Sequence, residues 1–428
     1  MMNYPTNRRT LLAATVALVS LGGRIRAAAE EKRLRIYWWG SKDRAERTFK
    51  VNDLYAAAHP GVTLSGETLG WGDYWARLAT QAAGRNAPDI IQMDYRYIFE
   101  YARRGALLPL DEYVPKVLAI DDFGKDAIDS GRVDGKIYGV SLGLNSTALL
   151  YSKTAYDAAG LKPPTHETTW AQFAALSAQL SKANANKGYW GSMDGGGVEP
   201  ALEVWVRQRG RALYTQDGKL GFDEKDATEW FAYWDDMRQR GACVPPDVQA
   251  LDHASNETAM LSQGKAATAF EHSNLLVAYQ ALNKHTLSMT MYPQGEAGSK
   301  PGPYLKPSQM LSVYALTKMP DEAVQVVDFF VEDPRAARVL STERGVPAST
   351  GMRALIAPEL NELDRQSVDF VSLISGRVGP LPPPPPNGAG EIQQMLRRVN
   401  EEVGFRKQTT MAAGKQFISE ASSILSRT

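Results

Sequence analysis

Residues 134–153 read DGKIYGVSLGLNSTALLYSK, and this stretch decides how the rest of the chain is interpreted. Its first part, from Asp134 to Val140, has the pattern of a hairpin-like turn between two short strands. Its second part, from Leu142 to Tyr151, is a long extended run. We expect this run to cross between two lobes of the protein.

The chain before this stretch alternates strands with helices. In the first strand, apolar and polar residues alternate and are followed by a continuous apolar run that ends at Gly40. The first helix ends at His59-Pro60-Gly61. The expected strands and helices lie at 34–39, 42–58, 62–64, 73–84 and 88–93. Because strand and helix alternate, the sequence predicts the α/β fold class, with a parallel sheet and crossover helices.

The chain after this stretch carries a second αβ region. Helical patterns lie near 170–183, 199–210, 225–240 and 256–263, and strand patterns lie at 266–270, 286–292 and 310–317. Five consecutive prolines at 382–386 exclude both a helix and a central strand. They predict a stiff polyproline connector within a largely helical C-terminal region.

Composition and charge limit the kind of partner. The sequence has 48 basic and 48 acidic residues, which gives no electrostatic footprint for nucleic acid or for an anionic membrane. Cys243 is the single cysteine, which makes an intrachain disulfide impossible, and the five histidines show no ligand-like pairing. We therefore expect a monomer with a small-molecule partner, no nucleic acid, no metal and no cofactor.

The first 29 residues have the pattern of an export signal. Arg8 and Arg9 form a positively charged start, residues 11–21 form an apolar run, and three alanines at 27–29 form a small-residue cleavage site. The apolar run is too short to cross a bilayer as a helix. The arginine pair also resembles a twin-arginine signal, so the Sec and twin-arginine routes both stay open. Either route predicts a periplasmic protein.

Four sequence motifs resemble those of the family 1 extracellular solute-binding proteins, the group that includes maltose-binding protein. The most telling one runs from Asp134 to Lys153 and is similar to the family's hinge strand, with Ser141 and Ser152 replacing the usual proline and asparagine. The supporting motifs are APDII at 87–91, LSQGKAATA at 261–269 and RGVP at 344–347. Their order and spacing together carry the resemblance across essentially the whole chain after residue 29.

The resemblance implies two discontinuous αβ lobes, joined by a hinge of crossing strands, with one solute in the cleft between them. It also implies an ABC importer permease as the partner. We expect an export signal at 1–29, an N-terminal lobe built from 30–143 plus 292–343, and a C-terminal lobe built from 144–291 plus 344–428. The expected function is capture of a carbohydrate or sugar derivative for import.

Sugars present flat apolar faces ringed by hydroxyls, so their sites need aromatic platforms together with carboxylate and amide groups. In an open α/β sheet such groups lie in the loops beyond the carboxyl ends of the strands. The expected ligand contacts in these loops and in the second lobe are Trp39, Gly40, Ser41, Asp43, Trp71, Asp94, Asn145, Gly195, Gly196, Gly197, Glu271, Asn274, Tyr304 and Arg344.

Several of these residues have an alternative structural role. Ser41 and Asp94 are each placed to cap the helix that follows, and Asn145 to form hydrogen bonds inside the hinge. The glycine run at 195–197 exposes N–H groups at a helix start, which suits an anion, although a flexible loop explains it as well. If that run binds an anion, the solute carries an acidic group, with which Arg344 is able to pair.

The alternative function is an exported glycoside hydrolase. The sequence contains no nucleophile elbow, zinc-protease, redox-dithiol or phosphate-loop signature. Paired carboxylates in a cleft stay open from the sequence, because any two of its 48 acidic residues could meet there. We expect a binding protein rather than an enzyme.

Overall fold

The computed structural model describes residues 32–40, 42–184, 188–253 and 255–427. The predicted export signal at 1–29 and Ser41 lie outside the described residues. The strands are β1 Lys32–Trp39, β2 Val62–Leu69, β3 Ile90–Met93, β4 Arg132–Val133, β5 Lys136–Ile137, β6 Val140–Ser141, β7 Leu144–Asn145, β8 Thr147–Ser152, β9 Thr268–His272, β10 Leu287–Thr290, β11 Lys306–Pro307 and β12 Met310–Val313.

Helices outnumber strands in the described part of the chain. They are α1 Lys42–Ala58, α2 Trp71–Ala83, α3 Ile98–Arg103, α4 Lys125–Asp129, α5 Lys153–Ala158, α6 Trp170–Ala183, α7 Glu199–Gln208, α8 Glu224–Gln239, α9 Pro246–Gln249, α10 Leu276–Leu282, α11 Pro320–Glu332, α12 Pro334–Leu340, α13 Thr350–Ile356, α14 Glu362–Ile374, α15 Ala389–Gly404 and α16 Thr410–Ser426. None of the described helices is long and apolar enough to cross a membrane.

The N-terminal lobe is built on a five-stranded sheet with the order β2-β1-β3-β12-β6. The first three strands are parallel, and β12 runs antiparallel to both of its neighbours. Adjacent side chains of a strand point to opposite faces, so Trp38 and Trp39 enter two different apolar clusters. The strand pattern therefore directs one tryptophan to each side of the sheet.

The C-terminal lobe has a three-stranded antiparallel sheet with the order β10-β8-β9. Its interior is filled by aromatic rings, among them Trp170, Trp230, Trp234 and Phe270. Helix α6 begins with a capping box in which Thr169 and Gln172 satisfy each other's backbone N–H groups. The α/β class predicted from the sequence is confirmed.

The lobes are joined where the chain crosses between their sheets. Strand β6 belongs to the N-terminal sheet and β8 to the C-terminal sheet, and β7 lies between them, paired with β11 of the return crossing. The extended run that was expected to cross between lobes therefore contains β7 and β8. A further connection follows α13, since α14 packs against α10 and β10 of the C-terminal lobe.

Two predicted lobe boundaries differ from the contacts in the structure. Residues 292–305, expected in the N-terminal lobe, pack on the C-terminal lobe, because the backbone pairs Gln294 with residues 168–170 and Lys300 with Gln208 before crossing at β11. Residues 344–356, expected in the C-terminal lobe, stay with the N-terminal lobe. Asp122 holds them there by accepting hydrogen bonds from Ser349 and Gly351.

Candidate functional site

The loop after β3, residues 94–97, faces the space between the lobes. The Asp94 carboxylate accepts the Arg96 N–H at 2.8 Å, and the Asp94 carbonyl accepts the N–H groups of Tyr97 and Ile98. These bonds fix the turn that leads into α3, but the N-cap of α3 is Tyr97 and no side chain caps it, so Asp94 holds the loop rather than capping the helix. The side chains of Asp94, Tyr95 and Arg96 also line a cavity between the lobes. Holding this turn and lining the cavity are therefore compatible at Asp94.

Five rings form an aromatic cluster beside this loop: Trp39, Trp71, Tyr74, Trp75 and Tyr97. Trp39 packs edge-on against Trp71 with ring centroids 5.0 Å apart, and Trp75 stacks on Tyr97 at 3.8 Å. Trp39 is buried, whereas Trp71 is 45% exposed. Trp71 is thus the open platform of the cluster, and Trp39 supports it from below.

The cavity lined by the 94–97 loop, here called the outer compartment, has a volume of about 190 Å³. Its C-terminal side is formed by α7, by the end of β9 and by the proline-rich segment. The side chains that line it are those of Asp94, Tyr95, Arg96, Glu199, Pro200, Glu203, Leu213, Tyr214, His272, Tyr304, Lys306, Pro382, Pro383, Pro385 and Gln393. Both lobes contribute to it.

Two glutamates of α7 provide carboxyl groups to the outer compartment. Glu199 and Glu203 lie one helical turn apart and so share a face of the helix. Tyr214 donates to Glu199 at 3.3 Å, and Tyr304 donates to Glu203 at 3.0 Å. Burial raises the pKa of Glu199 to about 7, which the positive charge of Arg96 opposes, and burial also raises the pKa of Glu203. Near neutral pH the Glu199 carboxyl is able to donate as well as to accept.

A second cavity, here called the inner compartment, adjoins the first and has a volume of about 290 Å³. The two cavities share Pro200, His272 and Gln393 in their linings. Among the polar residues that line the inner compartment are Gln249, Asp252, Ser255, Asn256, Glu271, Arg397, Asn400 and Glu401. Both compartments are therefore polar and lie side by side.

The end of β9 supplies two titratable groups to these cavities. Glu271 accepts a hydrogen bond from the Tyr279 hydroxyl at 2.5 Å, and burial raises the pKa of its carboxyl to about 7. Burial lowers the pKa of His272 well below its ordinary value, which keeps the imidazole neutral. A neutral imidazole has one donor and one acceptor nitrogen for a hydroxylated ligand.

The glycine run at 195–197 has a packing role in the structure. The Gly196 N–H donates to the Asp194 carboxylate at 3.0 Å. A Cβ on Gly195 would meet Trp234, and one on Gly196 would lie 2.0 Å from Asn400 Oδ1. The prediction of an anion site at the exposed N–H groups needs correction here, because the chain's own carboxylate occupies the Gly196 donor. Gly197 still lines the inner compartment.

Asn145 and Asn274 meet at the hinge. The Asn145 amide donates to Asn274 Oδ1 at 2.9 Å, and Asn145 is buried. This is the internal hydrogen bonding that was the alternative for Asn145. Neither residue lines the two compartments, whereas Tyr304 and Glu271 do.

Arg344 lies inside the N-terminal lobe, which corrects its prediction as a ligand contact. Its side chain is 2% exposed, donates to Thr48 Oγ1 at 2.6 Å and also donates to Gln92. Burial lowers the pKa of the guanidinium to about 9, and the neighbouring Arg44 acts in the same direction. The group joins α1, β3 and the segment after α12, away from the two compartments.

The loop after β1 is also outside the compartments. Gly40 has a φ of 150°, and its backbone packs closely against the Arg44 side chain. Asp43 is exposed and pairs with Arg47 one turn further along α1 at 2.9 Å. The structure therefore gives Gly40 and Asp43 local roles.

Several residues that line the compartments were missed from the sequence. They are Arg96, Glu199, Glu203, Tyr214, His272, Lys306, Gln393, Arg397 and the prolines at 382, 383 and 385. The spacing of Glu199 and Glu203 directly after the glycine run was an available signal, as was the position of His272 beside Glu271. The others come together only through the tertiary fold.

Two larger hollows lie on the C-terminal lobe away from the 94–97 loop. One has a volume of about 520 Å³ and includes Lys182, Tyr189 and Arg240, and the other, of about 460 Å³, includes Trp205 and Tyr233. Each is lined by the C-terminal lobe alone. We assign the functional site to the outer compartment, because both lobes line it, together with the inner compartment, which the C-terminal lobe alone lines but which adjoins the outer one through Pro200, His272 and Gln393.

Two αβ lobes, a hinge of paired crossing strands and a polar cavity between the lobes define a two-lobed ligand-binding protein. Among the described residues no group of three or more His, Cys, Asp or Glu side chains is arranged to hold a metal ion. The family model for bacterial extracellular solute-binding proteins matches residues 50–363, and the chain belongs to this family. The resemblance drawn from the sequence is confirmed.

Known proteins agree with this assignment. A family 1 extracellular solute-binding protein from Alicyclobacillus acidocaldarius is 30% identical, with a TM-score of 0.78 over 93% of this chain and 99% of that chain. A periplasmic oligogalacturonide binding protein from Yersinia enterocolitica, in complex with saturated digalacturonic acid, shares the fold at 20% identity, with a TM-score of 0.79 over 93% and 99% of the two chains. A binding protein of Brucella abortus is 25% identical over 70% of this chain and 72% of its own length.

Proposed function

We propose that this protein captures a neutral carbohydrate in the outer compartment between the lobes and the adjoining inner compartment, and delivers it to the membrane permease of an ABC importer. It acts as a monomer, outside the cytoplasm, and without catalysing a reaction on the solute. One observation carries the proposal: an exposed tryptophan, Trp71, packs against Tyr97 of the 94–97 loop, and this loop lines a cavity to which both lobes contribute carboxyl and phenol groups.

The chemistry of the cavity suits a hydroxyl-rich ring. Trp71 offers an exposed apolar face beside the loop that carries Asp94 and Arg96. Glu199 and Glu203 offer carboxyl oxygens that are already oriented by tyrosine hydroxyls. A sugar has C–H faces for the first kind of surface and hydroxyls for the second.

The charge pattern of the inner compartment suits a neutral solute better than an acidic one. Three acidic side chains, Asp252, Glu271 and Glu401, line the inner compartment with one basic side chain, Arg397, although the raised pKa of Glu271 leaves its carboxyl partly protonated near pH 7. Asp194 also lines it but is paired with Arg238. A carboxylate ligand would be repelled by these acids. The Yersinia neighbour was solved with an acidic sugar, but at 20% identity it supports the fold and not this preference.

Capture is favoured over glycoside hydrolysis because the chain belongs to a family of binding proteins. In such a protein, closure of the lobes buries the solute, and the closed form is the one that the permease binds. Incubation of the purified protein with neutral glycosides should leave them intact. If the protein instead releases product in molar excess over itself, and Glu199→Gln abolishes this release, the hydrolase would be supported.

A thermal-shift screen against a library of neutral, amino and acidic sugars tests the proposal. A ligand that binds only the folded protein raises the melting temperature by mass action, so we expect shifts with a subset of neutral sugars. Acidic hits alone would overturn the neutral preference, and the absence of any saccharide hit would overturn carbohydrate binding.

The Trp71→Ala variant locates the site of any hit. Loss of the platform should weaken binding about tenfold, which is the order expected for one aromatic contact. Phe49→Ala is the matched control, because Phe49 is a similarly exposed aromatic residue, at 43%, on α1. Equal weakening by both substitutions would place the ligand elsewhere.

A further inference from the structure

The proline-rich segment between α14 and α15 forms a wall of the outer compartment. We call residues 380–386 the proline strap. Six of its seven residues are proline, so its backbone has almost no N–H groups with which to join a helix or sheet. Such a segment favours the extended polyproline conformation, which is stiff and has no internal hydrogen bonds. Its carbonyl groups are therefore free to accept hydrogen bonds from other parts of the protein.

The start of the strap is anchored to the C-terminal lobe. The Arg207 guanidinium of α7 donates to the Pro380 carbonyl at 2.7 Å and to the Gly302 carbonyl at 2.6 Å. The N–H of Gly379 donates to the Pro303 carbonyl at 2.9 Å. These bonds fix the strap to α7 and to the segment that precedes β11.

The N-terminal lobe contacts the strap through one hydroxyl group. Tyr95, in the 94–97 loop, donates to the Pro382 carbonyl at 2.9 Å. The Tyr95 ring packs edge-on against Phe99 of α3 at 5.5 Å, so the hydroxyl is held by its own lobe. The bond therefore links a rigid loop of one lobe to a stiff strap of the other, directly beside the outer compartment.

We propose that the Tyr95–Pro382 hydrogen bond is a latch that favours the closed cleft before a solute enters. Tyr95, which also lines the outer compartment, acts in this role on the equilibrium between open and closed lobes. The inference rests on the proposed capture function, because a latch is useful only where the lobes open and close. A single neutral hydrogen bond shifts the ratio of closed to open forms about two- to tenfold, which raises the affinity for any ligand of the closed form.

The test measures the distance between the lobes in the protein without a ligand. Spin labels are attached to cysteines introduced at Lys50 of α1 and Lys225 of α8, which are both exposed. The native Cys243 is buried and so is protected from labelling. Pulsed electron paramagnetic resonance then gives the distribution of distances between the two labels for the otherwise wild-type protein and for Tyr95→Phe. We expect Tyr95→Phe to increase the ratio of open to closed forms about two- to tenfold.

Tyr138→Phe is the matched control. Tyr138 is also a half-buried tyrosine of the N-terminal lobe, and within the described part of the chain its hydroxyl makes no hydrogen bond. Its substitution should leave the distances unchanged. Identical distributions for Tyr95→Phe and the wild type would overturn the latch, as would equal shifts in Tyr95→Phe and Tyr138→Phe.

A second variant keeps the test decisive if Tyr95→Phe lowers the melting temperature. Pro382→Ala keeps the accepting carbonyl but loosens the strap, so it should widen the distribution in the same direction. If Pro382→Ala leaves the distribution of inter-lobe distances unchanged, the stiffness of the strap has no role in the latch. No solute is used in these measurements, so failure of the sugar screen and failure of the latch are separate results.

Discussion

Substitution of Asp194 by Asn should destabilise the protein strongly, because it breaks a buried ion pair beneath the inner compartment. The side chains of Asp194 and Arg238 are 3% and 5% exposed, and Arg238 Nε donates to Asp194 at 2.7 Å. Arg238 also donates to Asn400 Oδ1 at 2.5 Å, which ties α8 to α15. Asp194→Asn preserves the shape of the side chain but leaves the arginine charge buried without its counter-charge.

Removal of one partner from a buried pair typically costs 3–5 kcal/mol. The asparagine amide oxygen is still able to accept from Gly196, so we expect the lower end of that range, about 3 kcal/mol. The measurement is the midpoint of urea unfolding with an unchanged slope, converted to a free energy of unfolding. The matched control is Asp236→Asn on α8, the helix that carries Arg238. Its pair with Arg240 is about half exposed, so this substitution should cost at most about 1 kcal/mol.

A loss below about 1 kcal/mol in Asp194→Asn, equal to that of the control, would refute the reasoning. The double variant Asp194→Asn with Arg238→Met provides a further check. If the cost arises from the uncompensated charge, removal of the arginine should restore part of the lost stability. A double variant that loses the sum of both single effects would show that packing, and not charge, determines the cost.

Two further predictions concern Gly196, which packs against the lining residue Asn400 of the inner compartment, and Glu271, which lines it. Gly196→Ala should lower the free energy of unfolding by about 1–3 kcal/mol, because its Cβ would lie 2.0 Å from Asn400 Oδ1. Gly376→Ala, where no atom lies within 4 Å of the new Cβ, should have little effect in the same thermal unfolding assay, and equal losses would contradict the steric argument. The raised pKa of Glu271 predicts that stability falls as pH rises from about 4.5 to about 7, since the folded state retains a proton that the unfolded state releases. Glu271→Gln should reduce the dependence of the free energy of unfolding on pH, measured by urea unfolding at several pH values. An unchanged pH dependence in this variant would contradict the prediction.

Local patterns of sequence were enough to predict much of the fold. The strand at 34–39 and the buried strand at 88–93 correspond to β1 and β3, since apolar alternation and apolar runs are properties of the segment itself. The helix predicted at 256–263 is wrong, and the structure has a series of turns there. The hydroxyl groups of Ser255 and Thr258 accept backbone N–H groups, which offers the chain an alternative to helical bonds.

The candidate site was predictable where its groups are local. Trp71 and Asp94 follow strands directly, and the structure places Trp71 in the exposed aromatic cluster and Asp94 in the outer compartment. Arg344 was not predictable, because its partner Thr48 is 296 residues away in the chain. The role of the glycine run had a signal in Asp194, which directly precedes it and is a favoured capping residue.

The proline strap shows how a correct local prediction can miss a function. Five consecutive prolines predict a stiff connector, but not that the connector borders the cleft and meets Tyr95 of the other lobe. Because the prolines have no N–H, this wall offers a solute ring faces and carbonyl acceptors only. Hydrogen bonds donated to a solute in the outer compartment must therefore come from side chains such as Arg96, Lys306 and Gln393. The wall accepts and these side chains donate, which matches the hydroxyls of a sugar, since each hydroxyl is both a donor and an acceptor.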